Sequence, residues 1–194
     1  MDVPDPFESS SFRDRLTRRL LEERTIVVNE AVTGRVAGHI TEQLTVLDAE
    51  SAEPIRVLIN NAPGGEVEAA LSVYDLLRAL TAPVRMLGGG RIAGAGMVAF
   101  LGAPAARRSA LPHVHFAFEP PRAATTTGTG EDLGAQAEAA RDRHERVVAL
   151  TAEATGQSEE QIEADLDRRR TFDAEEAQAY GLVRRVVERR GDAF

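Results

Sequence analysis

Short apolar, β-branched runs alternate along the first half of the chain with segments in which apolar residues recur at helical spacing. Residues 25–28, 55–60 and 84–87 have the composition of buried strands. Two predicted helices lie between them, with apolar stripes at Val36, Ile40, Leu44 and Leu47 and at Val67, Leu71, Tyr74 and Leu77. Strands joined through helices by short connections pair in parallel, with right-handed crossovers. The alternation therefore predicts an α/β domain built on a parallel sheet.

Capping residues and glycines mark where predicted helices begin and end. Thr33, Ser158 and Asp173 are predicted N-caps, because their side chains can accept a hydrogen bond from the first helical turn. Gly156 and Gly181 follow helical segments and are predicted to end them. The other predicted elements are helices at 13–24 and 94–102, a long Ala-rich helix before Gly156, and strands at 112–119 and 182–187.

The chain is long enough, at 194 residues, for one domain with a substantial core. Residues 1–18 include two prolines and three consecutive serines, and they predict a flexible N-terminal arm. No linker or internal repeat divides the rest, so residues 19–194 are predicted to form a single domain.

Two missing residue types exclude several kinds of chemistry. Cysteine is absent, which removes disulfides, thiol nucleophiles and cysteine-ligated metal sites. Lysine is also absent, because all 23 basic residues are arginine, so there is no phosphate-loop lysine, Schiff base or Ser–Lys dyad. The four histidines lack metal-ligand spacing. We therefore expect neither a metal nor a cofactor.

Charge and hydropathy bear on partners and location. The net charge of −8 argues against nucleic acid or an anionic membrane surface as the main partner. No apolar run reaches the roughly 18 residues of a membrane-spanning helix. The N-terminal residues are polar and show no apolar signal segment. We therefore expect a cytoplasmic protein.

Two glycine-rich turns follow predicted strands and are the candidates for chemistry. The first, residues 61–65, reads Asn-Ala-Pro-Gly-Gly and precedes a helix, where backbone N–H groups can stabilise a developing negative charge. Taken alone, it is more simply a tight strand-to-helix turn. The second, residues 88–96, has the close glycine spacing of a nucleophile elbow but carries no nucleophile at its tip.

Together with their flanks, these turns resemble the ClpP family, the proteolytic subunit of the Clp ATP-dependent protease. The resemblance is collinear from about Arg19 to Val187. Residues 61–65 match the family's Asn-Ser-Pro-Gly-Gly turn with Ala62 in place of serine. The other matching motifs are Val73-Tyr74-Asp75, Arg107-Arg108 through Leu111-Pro112, Thr155-Gly156-Gln157, Ile162 with Asp165, Glu176-Ala177, and Tyr180-Gly181-Leu182-Val183.

The resemblance implies a fold of the ClpP/crotonase type, in which stacked ββα units carry a protruding strand-and-helix handle, here about residues 122–154. It also implies a ring assembly. We expect either a homo-oligomer or a mixed ring with an active ClpP paralogue, and an AAA+ ATPase unfoldase is a possible partner.

The resemblance places the family's Ser-His-Asp triad on Gly94, Glu119 and Arg169, so all three catalytic positions are substituted. Gly94 has no side chain to attack a carbonyl, and Glu119 cannot exchange a proton near pH 7 as histidine does without a raised pKa. Arg169 reverses the charge that would orient a base, and we expect it to form an ion pair with Glu119. The chain is thus predicted to be an inactive, ClpP-like pseudoenzyme with a structural or regulatory role.

Two further sets of residues follow from the resemblance. Backbone groups of Gly64, Gly65 and Ala95 are the predicted remnant of the oxyanion hole. Val57 and Ile59 stand where the family carries the aromatic side chains that dock its ATPase, and this predicts a weaker or different contact.

Three other readings of the chain are open from the sequence. It could be an active serine-type endopeptidase with displaced catalytic residues. It could be a crotonase-like acyl-CoA binding protein that uses the Gly64–Gly65 turn as an oxyanion hole and Glu119 as acid or base. It could also be a homo-oligomeric scaffold with no Clp partner.

Overall fold

The computed structural model describes residues 10–119 and 130–194. The helices are α1 Ser10–Glu22, α2 Gly34–Glu50, α3 Val67–Ala79, α4 Ala95–Leu101, α5 Gly130–Thr155, α6 Glu159–Asp167, α7 Ala174–Tyr180 and α8 Arg190–Ala193. The strands are β1 Thr25–Val28, β2 Ile55–Ala62, β3 Val84–Ala93, β4 Arg108–Ala110, β5 His115–Ala117, β6 Thr171–Phe172 and β7 Arg185–Val186. In this part of the chain, no helix is long and apolar enough to cross a membrane.

The strands form one mainly parallel sheet in the order β1-β2-β3-β4-β7. The long strand β3 serves two partners in succession: its first half pairs with β4, and its last three residues pair with β5. Strand β6 then pairs with β5 in the antiparallel sense. The predicted α/β class with parallel pairing is confirmed. The strand predicted at 84–87 continues to Ala93 through most of the turn predicted at 88–96, so the chain turns only at Gly94, before α4.

The core forms where α2 and α3 lie against the sheet, because both helices bury the stripes that the sequence predicts. Val36, Ile40, Leu44 and Leu47 of α2 are all buried. In α3 the deepest residues are Ala70, Val73, Tyr74 and Leu77, while Val67 and Leu71 are half-buried at its margin. Each fully buried aliphatic side chain contributes about 1.5–3 kcal/mol to folding relative to exposure.

The predicted helix caps are all present. The side chain of Thr33 accepts a hydrogen bond from the Val36 N–H at 3.5 Å. Ser158 accepts one from the backbone three residues on, and Asp173 forms a reciprocal capping box. Gly181 ends α7 in the left-handed conformation. Each such cap typically stabilises its helix by about 1 kcal/mol.

Strand β4 carries an arginine that is fully buried. The Arg108 guanidinium donates to the carbonyl oxygen of Ala154 at the end of α5 and to that of Gly181 after α7, the latter at 3.2 Å. Its Nε and the other terminal nitrogen have no hydrogen-bond partner among the described residues. Burial lowers the pKa of Arg108 to about 10. One side chain thus attaches two helix ends to the middle of the sheet.

Several element boundaries differ from those that the sequence predicts. The strand predicted at 112–119 is limited to β5, and the one predicted at 182–187 is limited to β7. Strands β4 and β6 were not predicted, because two or three residues give too weak a local pattern. Helix α1 begins within the predicted arm at 1–18. The beginning of the predicted handle, before Gly130, lies outside the described residues, and the rest of it is α5.

Candidate functional site

Gly94 lies at the sharp turn between the end of β3 and the start of α4. Its backbone has φ 54° and ψ −123°, a conformation that L side chains rarely adopt. A β-carbon at this position would lie 3.3 Å from the Cα of Gly64. The strained strand-to-helix geometry of a nucleophile elbow is therefore present here, without a nucleophile.

The turn after β2 lies directly against Gly94. Gly65 has φ 110° and bridges to Val32, whose carbonyl oxygen would clash with a β-carbon added at this glycine. The Gly64 N–H donates to the carbonyl of Ala93 at 3.2 Å. That amide is thus engaged within the fold, and the oxyanion remnant at Gly64, Gly65 and Ala95 stays a prediction. Ala95 is the first residue of α4, where an N–H has no acceptor within its own helix.

Glu119 forms an ion pair, but not with the residue that the sequence predicts. Its carboxylate accepts from the Arg91 guanidinium on β3 at 2.5 Å. Arg169 is exposed in the turn after α6, with φ 49°, and no ion pair joins it to Glu119 in the described residues. The predicted Glu119–Arg169 pair is wrong, because Glu119 pairs instead with Arg91, which β3 places beside it.

A small hollow separates the candidate catalytic positions. Gly94 and Glu119 both line it, together with Phe118, Thr151 and Leu166 among others. Its volume is about 20 Å³, and one water needs about 10–15 Å³ of such space. Thr151 is the one hydroxyl among the lining residues that the structure describes, and it donates to the carbonyl of Val147 at 2.6 Å. Arg169 does not line the hollow.

A buried carboxylate, Asp165, holds the segment that carries Arg169. It accepts hydrogen bonds from the Gln161 amide at 2.8 Å, the Tyr180 hydroxyl at 2.8 Å and the Arg170 guanidinium at 3.2 Å. Burial alone would raise its pKa, but these hydrogen bonds and the Arg170 charge outweigh burial and hold the pKa of Asp165 below its ordinary value. Burial and the adjacent carboxylate raise the pKa of Tyr180.

The sequence named Asp165 and Tyr180 only as parts of motifs. Their contact across 15 positions of the chain is visible only in the structure, since no local pattern predicts it. The guanidinium of Arg170 also lies over the rings of Phe172 and Tyr180, at 4.7 and 5.2 Å from their centroids. These contacts hold the loop after α6 in place. The residue of this loop at the family's aspartate position, Arg169, has the wrong charge to orient a catalytic base.

The histidines do not converge on the hollow. His39, His113 and His115 are exposed, and the ring of His144 on α5 contacts the Glu163 carboxylate on α6 at 2.8 Å. None of the four lines the hollow beside Gly94.

A family model described as Clp protease matches residues 8–190. The chain belongs to the Clp protease family. ATP-dependent Clp protease proteolytic subunit 3 of Rhizobium etli is 37% identical over 173 residues, which cover 89% of this chain and 88% of that protein. Proteolytic subunit 1 of Streptomyces avermitilis is 38% identical over 179 residues, covering 92% of this chain and 82% of that protein.

Solved structures of Clp protease subunits have the same fold. A mutant of ClpP1 from Listeria monocytogenes superposes with a TM-score of 0.83 at 32% identity, covering 92% of this chain and 99% of that chain. ClpP1 of the same organism gives a TM-score of 0.77 at 31% identity, with the same coverage. The fold predicted from the resemblance is confirmed.

The positions predicted to dock an ATPase in this Clp protease family member lie inside the core. Val57 and Ile59 are 2% and 1% exposed, and both belong to the main apolar cluster. Between them, Leu58 is half-buried on the opposite face of β2 and packs with Leu87 and Val187. Side chains on alternate positions of a strand point to opposite faces, so of these three residues only Leu58 faces away from the main apolar cluster.

Proposed function

We propose that this chain is a non-catalytic subunit of the Clp protease family, which acts through assembly rather than through peptide-bond hydrolysis. The observation that carries the proposal is Gly94, a glycine at the tip of a complete elbow. Serine hydrolysis requires an oxygen nucleophile at that tip, hydrogen-bonded to a base. Because Gly94 supplies the turn but no side-chain oxygen, this position cannot form a covalent acyl-enzyme.

The surroundings of Gly94 support the same proposal. Glu119, the one carboxylate among the described residues that line the hollow, is occupied by an ion pair with Arg91, and the hollow has a volume of only about 20 Å³. The hydroxyl of Thr151 donates to a helix carbonyl instead of facing a base. In a serine protease, loss of the nucleophile alone lowers kcat on the order of a millionfold.

The assembly role rests on the family. The chain covers most of the length of catalytic-subunit relatives and retains their fold at TM-scores near 0.8. We propose a homo-oligomeric ring or a mixed ring with an active paralogue, in the cytoplasm, with an AAA+ unfoldase as a further partner.

The isolated full chain tests the catalytic half of this proposal. We expect no peptide hydrolysis above background and no labelling by a fluorophosphonate probe, with an active Clp proteolytic subunit assayed in parallel as the control. Turnover that a serine-directed inhibitor abolishes would favour the displaced-residue endopeptidase instead. Saturable binding of an acyl-CoA would favour the crotonase-like alternative.

Native mass spectrometry of complexes purified through this chain tests the assembly half. A ring that contains this chain, alone or with a catalytic paralogue, is the expected result. A strictly monomeric chain at cellular concentration would refute the assembly role.

A further inference from the structure

A second cavity lies at the opposite end of the sheet from Gly94, where β3, β4 and β7 begin. Its volume is about 770 Å³, and four arginine side chains line it: Arg85, Arg107, Arg184 and Arg185. The remaining lining residues are Pro83, Ala106, Ser109, Gln178 and Ala193. We call this cavity the arginine cleft. Because β3 runs for ten residues between them, the cleft lies roughly 30 Å from the elbow at about 3.3 Å per residue.

The topology explains why the four cations meet. In a parallel sheet, the amino ends of neighbouring strands lie at one edge. Arg85 is the second residue of β3, Arg107 precedes β4, and Arg184 and Arg185 lie at the start of β7. The register places Ser109 of β4 beside Arg185 of β7. The fold thus brings together residues that are a hundred positions apart in the chain.

The charge of the cleft is uncompensated. None of its four arginines has a carboxylate within ion-pair distance anywhere in the described residues, and no acidic residue lines the cleft. Arg35, outside the cleft, does have such a partner in Glu30 at 2.9 Å. The cleft is distinguished by the convergence of four arginines without one in a single concavity of a chain with a net charge of −8.

Polar groups at the floor of the cleft hold its strands in place. The buried Ser109 hydroxyl accepts from the Arg185 Nε at 3.4 Å, and the Gln178 amide donates to the backbone carbonyl of Arg184 at 3.2 Å. All four arginines line the cavity, and the Nε bond of Arg185 to Ser109 is the one side-chain hydrogen bond that any of them makes within the described residues. A guanidinium presents paired donors whose geometry matches the oxygens of phosphate.

We propose that the arginine cleft binds a small ligand that carries several linked phosphate groups. Four cations call for about three or four negative charges close together, which a triphosphate group supplies within one compact moiety. An acidic peptide spreads its charges at about 3.3–3.6 Å per residue along an extended chain. The volume of the cleft also suits a compact ligand, since small-molecule sites measure about 300–1,000 Å³. This site is independent of whether the elbow is catalytic.

Titration calorimetry of the full chain with inorganic tripolyphosphate tests the proposal. We expect saturable binding that weakens at least tenfold in Arg85→Gln and in Arg184→Gln. The matched control is Arg35→Gln, which removes the same charge from a surface site outside the cleft and is expected to change affinity less than twofold. Because all three arginines reach solvent, the variants are expected to fold, which circular dichroism checks.

Two further ligands are compared with tripolyphosphate. ATP shows whether the phosphates come from a nucleotide, and an oligoglutamate peptide tests whether the cleft prefers an acidic protein. ATP that binds more tightly than tripolyphosphate would support the proposal and assign a nucleotide, and the reverse order would support it and assign an inorganic oligophosphate. An oligoglutamate peptide of equal charge that binds more tightly than either would overturn it in favour of an acidic protein partner. Equal weakening in Arg35→Gln, or no binding of tripolyphosphate at millimolar concentration, would also overturn it.

Discussion

Replacement of Gly94 by serine restores the side chain that the elbow lacks, and we expect it to destabilise the fold. The backbone at this position has φ 54° and ψ −123°. Holding a non-glycine residue in so sparsely populated a conformation costs about 1–3 kcal/mol. The new β-carbon would also lie 3.3 Å from the Cα of Gly64, a tight contact that the neighbouring turn must relieve.

The expected effect is large enough to measure. For a chain of 150–250 residues, each kcal/mol lowers the Tm by about 2–4 °C, so Gly94→Ser is expected to lower it by about 2–12 °C. Urea unfolding followed by circular dichroism gives the corresponding free energy. Gly94→Ala makes the same demand on the backbone without a hydroxyl, and it should be destabilised to a similar degree.

A control on a different glycine separates strain from glycine replacement in general. Gly134 lies in α5 with nothing within 4 Å of an added β-carbon, and Gly134→Ala should stabilise the chain by about 0.5–1 kcal/mol. If Gly94→Ser and Gly94→Ala both unfold with the wild-type midpoint, the elbow imposes no strain and the reasoning fails.

Two other changes test the site and its support. Gly94→Ser combined with Glu119→His and Arg169→Asp should label with a fluorophosphonate only as the triple variant, because triad members act as a unit; a folded triple variant that stays unlabelled would show that the hollow excludes substrate. Asp165→Asn should lower the free energy of unfolding at pH 7 by about 1.5–3 kcal/mol through weakened charge-assisted hydrogen bonds, whereas Asp167→Asn on the same helix should change it by less than about 0.5 kcal/mol. Because the pKa of Asp165 is depressed in the fold, its contribution is complete above the unfolded pKa of about 3.9 and declines as the pH falls below that value. The difference in unfolding free energy between the wild type and Asp165→Asn, measured by urea titration, should therefore be smaller at pH 3 than at pH 7, and a constant difference would contradict the assignment.

Local signals in the sequence predict the helices well. Thr33, Ser158 and Asp173 cap helices as expected, because a cap is decided by residues three positions apart. The apolar stripe of α2 is buried as predicted for the same reason. The short strands β4 and β6 depend on partners far along the chain, and no window of sequence contains that information.

In the candidate site, too, local motifs could be predicted from the sequence and contacts between distant elements could not. The resemblance was enough to find the elbow and its glycine, since both belong to one continuous motif. It could not show that Arg91, rather than Arg169, reaches Glu119, or that the Gly64 amide is already bound to Ala93. Each of these contacts joins two elements whose relative position is set by the packing of the sheet.

The buried guanidinium of Arg108 has a consequence for how the long helix α5 can move. Its contacts with the carbonyls of Ala154 and Gly181 fasten the final turn of that helix to the sheet, and breaking them would leave a charged group in the interior without donors satisfied. The buried residues of α5 between Val147 and Ala152 and the contact of His144 with Glu163 hold the same end of the helix, so that any displacement of α5 grows with distance from them towards Gly130. The free-energy cost of moving the helix is therefore lowest at its Gly130 end, which is the end farthest from the elbow.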